Sequence, residues 1–366
     1  MRFVSFVGVA LVIAFAGGTA GIGGCGGGTP PPAPPPAALP ADVLALPSSS
    51  AGAVEDAGAA PAPSAPPSAR PPGTAVTVLV KGLHAPSALM LDRQSVYWVD
   101  AIDGDLSRIP KRGGVTMVVY AGTGAAFTAH SSAAVDDTDV YLASQIDRTS
   151  TLIRQDKNGG KPTVLASSGF APIEGVALDD KDVYWALGGG ILRASKSGGA
   201  PRALAGGFQG TSGVAVDGAH VYWSVRGTEA AGFADGAIVE SAKGGGNARV
   251  LVHGAAGAEN VVLDASTVYW RSGSKVFKAS KAKGDAVQLA EASGPVGDIA
   301  VDDVYAYFLT PDAVARVPKE GGKSETYADA PGTPTSIAVD GTSVYFTTRG
   351  TESGKWRDGT LAKMEK

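Results

Sequence analysis

A single cysteine, Cys25, is all the thiol this sequence contains, so no internal disulfide can staple it. Histidine is nearly as scarce: His84, His130, His220 and His253 stand alone, and none falls in an H-E-x-x-H or H-x-H spacing. Zinc chemistry built on paired histidines is therefore excluded. No G-x-S-x-G turn occurs, which removes the nucleophile elbow of the α/β-hydrolases. Basic excess is absent as well, with 31 Lys and Arg against 35 Asp and Glu and a formal net charge of −4. Without surplus cations to neutralise phosphates, nucleic acid is not an expected partner. Long apolar runs are missing except for Phe3–Phe15, which is near the minimum for a membrane helix and is followed by Gly17, Gly18, Gly21, Gly23 and Gly24.

What the sequence has in abundance is repetition. In the fourth copy, Gly213–Asp217 is a short apolar run ending in Asp, and Val221-Tyr222-Trp223 is a second run. Ile238-Val239-Glu240 leads to Lys243-Gly244-Gly245, and Arg249–Val252 closes the unit. These are four strand signals separated by Gly/Asp turns. The Asp recurs at Asp92, Asp136, Asp179, Asp217, Asp264, Asp302 and Asp340, and a Tyr follows five residues later each time, from Tyr97 to Tyr345. Successive tyrosines are 38–47 residues apart, the length of one four-stranded propeller blade. A third anchor, apolar-x-charged-x-x-Lys, runs in phase from Leu106/Arg108/Lys111 to Leu361/Lys363/Lys366.

The seventh copy stops at Lys366, after its third strand, while a surplus strand, Val76–Val80, precedes the first copy and reads like the fourth strands. The expected fold is all-β: a seven-bladed β-propeller over residues 74–366, closed by the N-terminal strand pairing into the last blade. Residues present in every blade are expected to be structural. The seven Asp should cap turns, and the Tyr/Trp pairs should fill the space between blades. Each Lys-x-Gly-Gly should be a hairpin turn, as should Gly188-Gly189-Gly190.

Residues 1–25 read as an export signal, with Arg2 ahead of the apolar run. Ile22-Gly23-Gly24-Cys25 resembles a bacterial lipobox. That resemblance implies lipidation of Cys25, cleavage just before it, and attachment to a membrane of the bacterial cell envelope by several acyl chains. Gly26 rather than Asp after the cysteine implies, by the same resemblance, the outer membrane. Residues 26–73 hold 14 of the 24 prolines and no periodic apolar pattern, and read as a disordered Pro/Ala/Gly-rich tether.

Leu91-Asp92, Val96-Tyr97-Trp98-Val99-Asp100, Arg108 and Gly113-Gly114 together resemble the YWTD propeller repeat of low-density-lipoprotein-receptor relatives. More broadly they are similar to the TolB-like and NHL-like propellers of exported bacterial proteins. The likeness covers about residues 76–366; only the first repeat keeps the second Asp, and YWTD propellers have six blades rather than seven. It implies fold and a recognition role, and carries no ligand across.

Function should lie where the repeats differ. At the channel mouth the seven copies place Ser87, His130/Ser131, Glu174, Ser212, Glu259/Asn260, Asp298 and Thr335/Ser336. Glu174, Glu259, Asn260 and Asp298 could ligate Ca²⁺ through oxygen, a residue set similar in type to that of the senescence-marker/gluconolactonase propellers; a solvated polar rim is the simpler account. A second feature is a pair of matched loops. Arg226-Gly227-Thr228-Glu229 with Phe233 and Asp235-Gly236 mirrors Arg349-Gly350-Thr351-Glu352 with Trp356 and Asp358-Gly359. An aromatic beside Arg and Glu is a recognition patch for a protein, glycan or small molecule, although duplication of an ancestral blade explains the likeness equally. Three functions stay open: a lipid-anchored binding or scaffold module, a metal-dependent, lactonase-like hydrolase, and a purely structural envelope protein.

Overall fold

A computed structural model describes residues 75–122, 132–146, 149–169, 171–330 and 332–366, all within the unit Gly52–Lys366. The lipobox, the tether and the channel-mouth pair His130/Ser131 lie outside the described residues.

The described chain is all-β apart from one 3-10 turn at Glu229–Ala231, and forms seven four-stranded antiparallel sheets. The strand β1 (Thr77–Leu83) comes first. Blade 1 is β2 (Pro86–Leu91), β3 (Ser95–Asp100), β4 (Leu106–Pro110) and β5 (Met117–Tyr120). Blade 2 is β6 (Ala133–Val135), β7 (Asp139–Ile146), β8 (Thr149–Asp156) and β9 (Thr163–Ser168). Blade 3 is β10 (Ile173–Leu178), β11 (Asp182–Leu187), β12 (Gly190–Ser195) and β13 (Arg202–Ala205). Blade 4 is β14 (Thr211–Val216), β15 (His220–Val225), β16 (Ala237–Ala242) and β17 (Arg249–His253). Blade 5 is β18 (Glu259–Leu263), β19 (Thr267–Ser272), β20 (Lys275–Ser280) and β21 (Ala286–Glu291). Blade 6 is β22 (Ile299–Val301), β23 (Tyr305–Leu309), β24 (Ala313–Pro318) and β25 (Glu325–Asp329). Blade 7 is β26 (Pro334–Val339), β27 (Ser343–Thr348) and β28 (Gly359–Glu365), and its fourth, outermost strand is β1, antiparallel to β28 with Thr77 opposite Lys363 and Leu83 opposite Gly359.

The second strands dictate how blades stack. Side chains alternate faces along a strand, so Tyr and the Trp after it point to opposite neighbours. Trp223 packs with Tyr184 and Ile191 of blade 3, while Tyr222 packs with Val268 and Trp270 of blade 5. Seven apolar clusters result, one at each interface between blades. The cluster at the seam joins Leu83 and Leu361 to Leu89, Trp98 and Tyr345. Trp98, Trp185, Trp223 and Trp270 are fully buried. The lone second Asp of the repeat explains itself here. Asp100 accepts from the Trp98 Nε1–H (3.3 Å) and from the His84 backbone N–H (3.0 Å). Repeats 3 and 4 have Leu187 and Val225 instead, and the Nε1 groups of Trp185 and Trp223 have no partner.

The three repeat anchors converge on one motif at the face where the first strand turns into the second. Each repeat Asp accepts, through Oδ1, the N–H groups two and three residues on; for Asp179 both distances are 2.8 Å. Its Oδ2 accepts from the Tyr hydroxyl in repeats 1, 3, 5 and 6 (2.8–3.0 Å). The same oxygen meets the anchor lysine of the next blade. The pairs are Lys157–Asp92, Lys196–Asp136, Lys243–Asp179, Lys281–Asp217, Lys319–Asp264 and Lys366–Asp302, and Lys111–Asp340 closes the circle at 2.7 Å. Six of these lysines also lie over the partner blade's Tyr ring, from 5.2 Å for Lys281 over Tyr222 to 5.9 Å for Lys111 over Tyr345.

This ring sets the titration of its members. For Asp92, Asp136, Asp217, Asp264 and Asp340, burial is the strongest single influence and opposes ionisation. Hydrogen bonds from the neighbouring lysine and from backbone N–H groups, joined at Asp92 and Asp264 by the Tyr hydroxyl, together outweigh it, and hold each carboxyl down at about 2. Asp179 and Asp302 are lowered by the same balance.

Candidate functional site

The inner strands line the central channel, and a bulge in five of them shapes its mouth. The register slips at Ser87/Met90, Glu174/Val176, Ser212/Val214, Glu259/Val262 and Pro334/Ser336. Neighbouring bulges touch. A Cβ on Gly175 would lie 2.6 Å from the Val214 nitrogen, and one on Gly213 would lie 2.7 Å from the Val261 nitrogen, so glycine is required at both. The resulting cavity, about 430 Å³, is lined by Ser87, Glu174, Ser212, Asn260, Asp298, Thr335 and Ser336, with Arg271. Every expected channel-mouth residue within the described parts is in this lining except Glu259.

The four residues expected to hold calcium are divided among other duties. Asp298 accepts four hydrogen bonds. Its Oδ1 takes the Asn260 amide and the Ile299 N–H (2.9 Å), and its Oδ2 takes the Ser336 hydroxyl (2.8 Å) and the Ile337 N–H (3.0 Å). Ser336 Oγ in turn accepts the Leu89 N–H at 3.1 Å, and Thr335 donates to the Pro86 carbonyl at 2.6 Å. A polar relay thus runs from blade 5 through blades 6 and 7 to blade 1. Glu259 sits opposite Arg271 in the β18–β19 register and is paired with it at 2.6 Å; Arg226 reaches its other oxygen at 3.4 Å. Glu174 lies in the lining, opposite Ala186 in the β10–β11 register. Among the described residues no group of three or more His, Cys, Asp or Glu converges as a metal site.

The matched loops fold alike to the level of single bonds. In blade 4, Asp235 accepts the Thr228 N–H (2.7 Å) and hydroxyl (2.9 Å); in blade 7, Asp358 accepts the Thr351 N–H and hydroxyl (both 2.7 Å). These bonds lower both exposed carboxyls: the Thr228 N–H acts first on Asp235, and the Thr351 hydroxyl first on Asp358. The aromatic N–H returns to the same threonine carbonyl, Phe233 to Thr228 and Trp356 to Thr351, each at 2.8 Å. Gly227 (φ 90°) and Gly350 (φ 88°) admit the Asp side chain where a Cβ would collide with it. The arginine then lies on the aromatic face, Arg226 at 5.1 Å from the Phe233 ring centre and Arg349 at 4.5 Å from that of Trp356. Both arginines are exposed, as are Glu229 and Glu352.

The two loops dock differently. Arg226 leans toward Glu259 of blade 5. In blade 7 the Trp356 carbonyl accepts the Ala85 N–H at 2.8 Å, and Arg357 reaches Asp103 at 3.3 Å and the His84 ring at 3.1 Å. His84 and Asp103 are themselves hydrogen-bonded. Sequence reasoning passed over Arg357, Lys355 and the His84–Asp103 pair. Its signal was there in three of the five positions at which the paired loops differ: Gly232/Lys355, Phe233/Trp356 and Ala234/Arg357.

Fold and loops together define a seven-bladed β-propeller with a polar channel mouth and two Asp-clamped, arginine-bearing loops. Solved structures with this shape include virginiamycin B lyase from Staphylococcus aureus, with a TM-score of 0.63 at 13% identity, over 80% of this chain and 99% of that one. A streptogramin B lyase superposes with a TM-score of 0.62 at 11% identity, over 80% of this chain and 97% of that one. YCF48 bound to D1 peptide gives 0.57 at 11% identity, over 82% of this chain and 98% of that one. At these identities the likeness is one of fold. No protein-family model and no curated protein matches the sequence.

Proposed function

We propose that the chain is a lipid-anchored binding module of the bacterial envelope, whose propeller engages its partner through the loops of blades 4 and 7. Arg226, Glu229 and Phe233 form one contact set, and Arg349, Glu352 and Trp356 the other. The observation that carries this reading is the carboxylate clamp and stacked arginine common to the two loops. Each carboxylate clamp is satisfied within the loop, so an exposed arginine is held on an aromatic ring with little left to order on binding. A rigid aromatic with a stacked guanidinium is the composition of a binding hot spot. Cys25 and the tether over residues 26–73 supply the membrane attachment in this reading. The hydrolase reading has less support, because Asp298 already accepts four hydrogen bonds and Glu259 faces two guanidiniums.

The test is site-specific photocrosslinking in intact cells. A photoreactive residue at Glu229 or Glu352 is expected to give a discrete adduct, lost in Arg226→Ala/Phe233→Ala/Arg349→Ala/Trp356→Ala. The same probe at Val304, exposed on the turn after Asp302, is expected to give none. Adducts from Val304 alone would overturn the assignment of the face. Cys25→Ser is expected to release the chain from the detergent phase; continued partitioning would refute lipidation.

A further inference from the structure

The paired loops provide an internal comparison, because eleven aligned residues share the Asp clamp and differ in what they display. Blade 4 carries one cation and two acids between Arg226 and Gly236, whereas blade 7 carries Arg349, Lys355 and Arg357 against the same two acids. In blade 7 one of those acids, Asp358, is already bound by Thr351. Blade 7 thus adds two cations, Lys355 and Arg357, to the composition of blade 4, and Arg357 is shared with Asp103. It also has the larger ring, Trp356 for Phe233. It holds this composition against local preference: Lys355 sits at φ 53° where blade 4 places Gly232 at φ 58°. A lysine in the left-handed region is strained where glycine is not, so ease of folding does not account for it.

We infer that the blade 7 loop binds an acidic polysaccharide, with Trp356 receiving the C–H face of a uronic acid ring and Lys355, Arg357 and Arg349 its carboxylates. This rests on the reading of the loops as the binding surface and names the ligand class for one of them. A uronate offers both complements on a single ring, an apolar face for the indole and a carboxylate for the guanidinium. An acidic peptide carries its carboxylates on short aliphatic stems and lays nothing flat on the indole. The site is dispersed over a loop, and the charge of each cation is screened in salt, so binding should weaken as ionic strength rises.

The probe is polygalacturonate titrated into the full chain at low salt, with dextran and poly-L-glutamate alongside. Trp356 supplies the signal, since Trp98, Trp185, Trp223 and Trp270 are at most 1% exposed. A saturable emission change with polygalacturonate alone is expected. Calorimetry should show binding at least about tenfold weaker in Lys355→Gly/Trp356→Phe/Arg357→Ala, a variant that gives blade 7 the residues blade 4 carries at those three positions. Its melting temperature is read alongside, because Lys355→Gly relieves the backbone while Arg357→Ala gives up the bonds to Asp103 and His84. Val304→Ala, on the turn after Asp302, should bind polygalacturonate normally. Equal affinity for poly-L-glutamate would overturn the glycan assignment in favour of an acidic peptide. Unchanged affinity in the triple variant would overturn the site. No binding by the wild type would refute the inference while crosslinks from Glu352 still upheld the loop as a surface; loss of those crosslinks would sink the underlying reading by itself.

Discussion

Removing one lysine from the inter-blade ring should cost far more than removing an ion pair from the rim. Lys157 is 8% exposed and lies 2.6 Å from Asp92, which is 17% exposed, and its ammonium sits 5.5 Å from the centre of the Tyr97 ring. Two unit charges about 4 Å apart attract by about 4 kcal/mol at an effective dielectric near 20. Desolvation of two half-enclosed ions offsets much of that, leaving about 2 kcal/mol for the pair. Lys157→Met should therefore destabilise the chain by about 2–3 kcal/mol, as Asp92 keeps only its backbone donors and the Tyr97 hydroxyl. Asp92→Asn also weakens the turn, so the pairwise quantity must come from a double-mutant cycle read by urea unfolding. A coupling of about 1.5–2 kcal/mol is expected. Lys275–Glu291, 3.8 Å apart with side chains 40% and 53% exposed, serves as the control and should couple by less than about 0.5 kcal/mol. Equal coupling in the two cycles would refute the claim that the ring welds blades together.

Three further outcomes follow from the same structure. The depressed carboxyls of the ring favour the folded chain above their unfolded pKa of about 3.9, and that contribution is lost as pH falls through about 2. Stability measured by urea midpoint should thus drop steeply between about pH 4 and 2, and a flat midpoint there would contradict the assignment. Deleting residues 75–83 removes the outer strand of blade 7 and takes Leu83 from the seam cluster, and should cost about 3–5 kcal/mol; an unchanged melting temperature would show that β1 does not hold the seam. Gly213→Ala, by pressing a Cβ on the blade 5 backbone, should destabilise by about 1–3 kcal/mol, whereas the open Gly218 should tolerate Ala within about 0.5 kcal/mol of the wild type in the same assay.

The blades were legible because each carries its own punctuation: Asp ends the first strand, Tyr marks the second and Lys the third. The destination of the lysine was not legible. Its partner Asp lies in the preceding repeat, 65 residues away for Lys157 and Asp92, and seven identical anchors allow pairing within a blade as readily as between blades. Only the stacking geometry decides it. The channel mouth was legible in position and not in chemistry. Glu174, Asn260 and Asp298 reach the lining as expected. The donors that occupy Asp298 include the backbone N–H groups of Ile299 and Ile337, which have no sequence signature. Glu259 is taken up by Arg271, visible only once the register of β18 and β19 is known.

Repetition within the chain separates what folds this protein from what it displays. The Asp, Tyr and Lys anchors occur seven times because seven interfaces need them, and their bonding is complete within the ring. The Asp-clamped loop occurs in blades 4 and 7, so the propeller does not require it; blade 3 joins the same two strands through Gly188-Gly189 alone. Duplication accounts for the shared backbone of the two loops, including the clamp, the glycine and the stacked arginine. It does not account for their divergence, which falls in five consecutive positions and sets a lysine at positive φ where blade 4 has a glycine. A drifting surface loop has no reason to accumulate strain and two cations beside its one tryptophan. Selection for what Lys355, Trp356 and Arg357 touch does supply a reason, and it makes the blade 7 loop the place to look first.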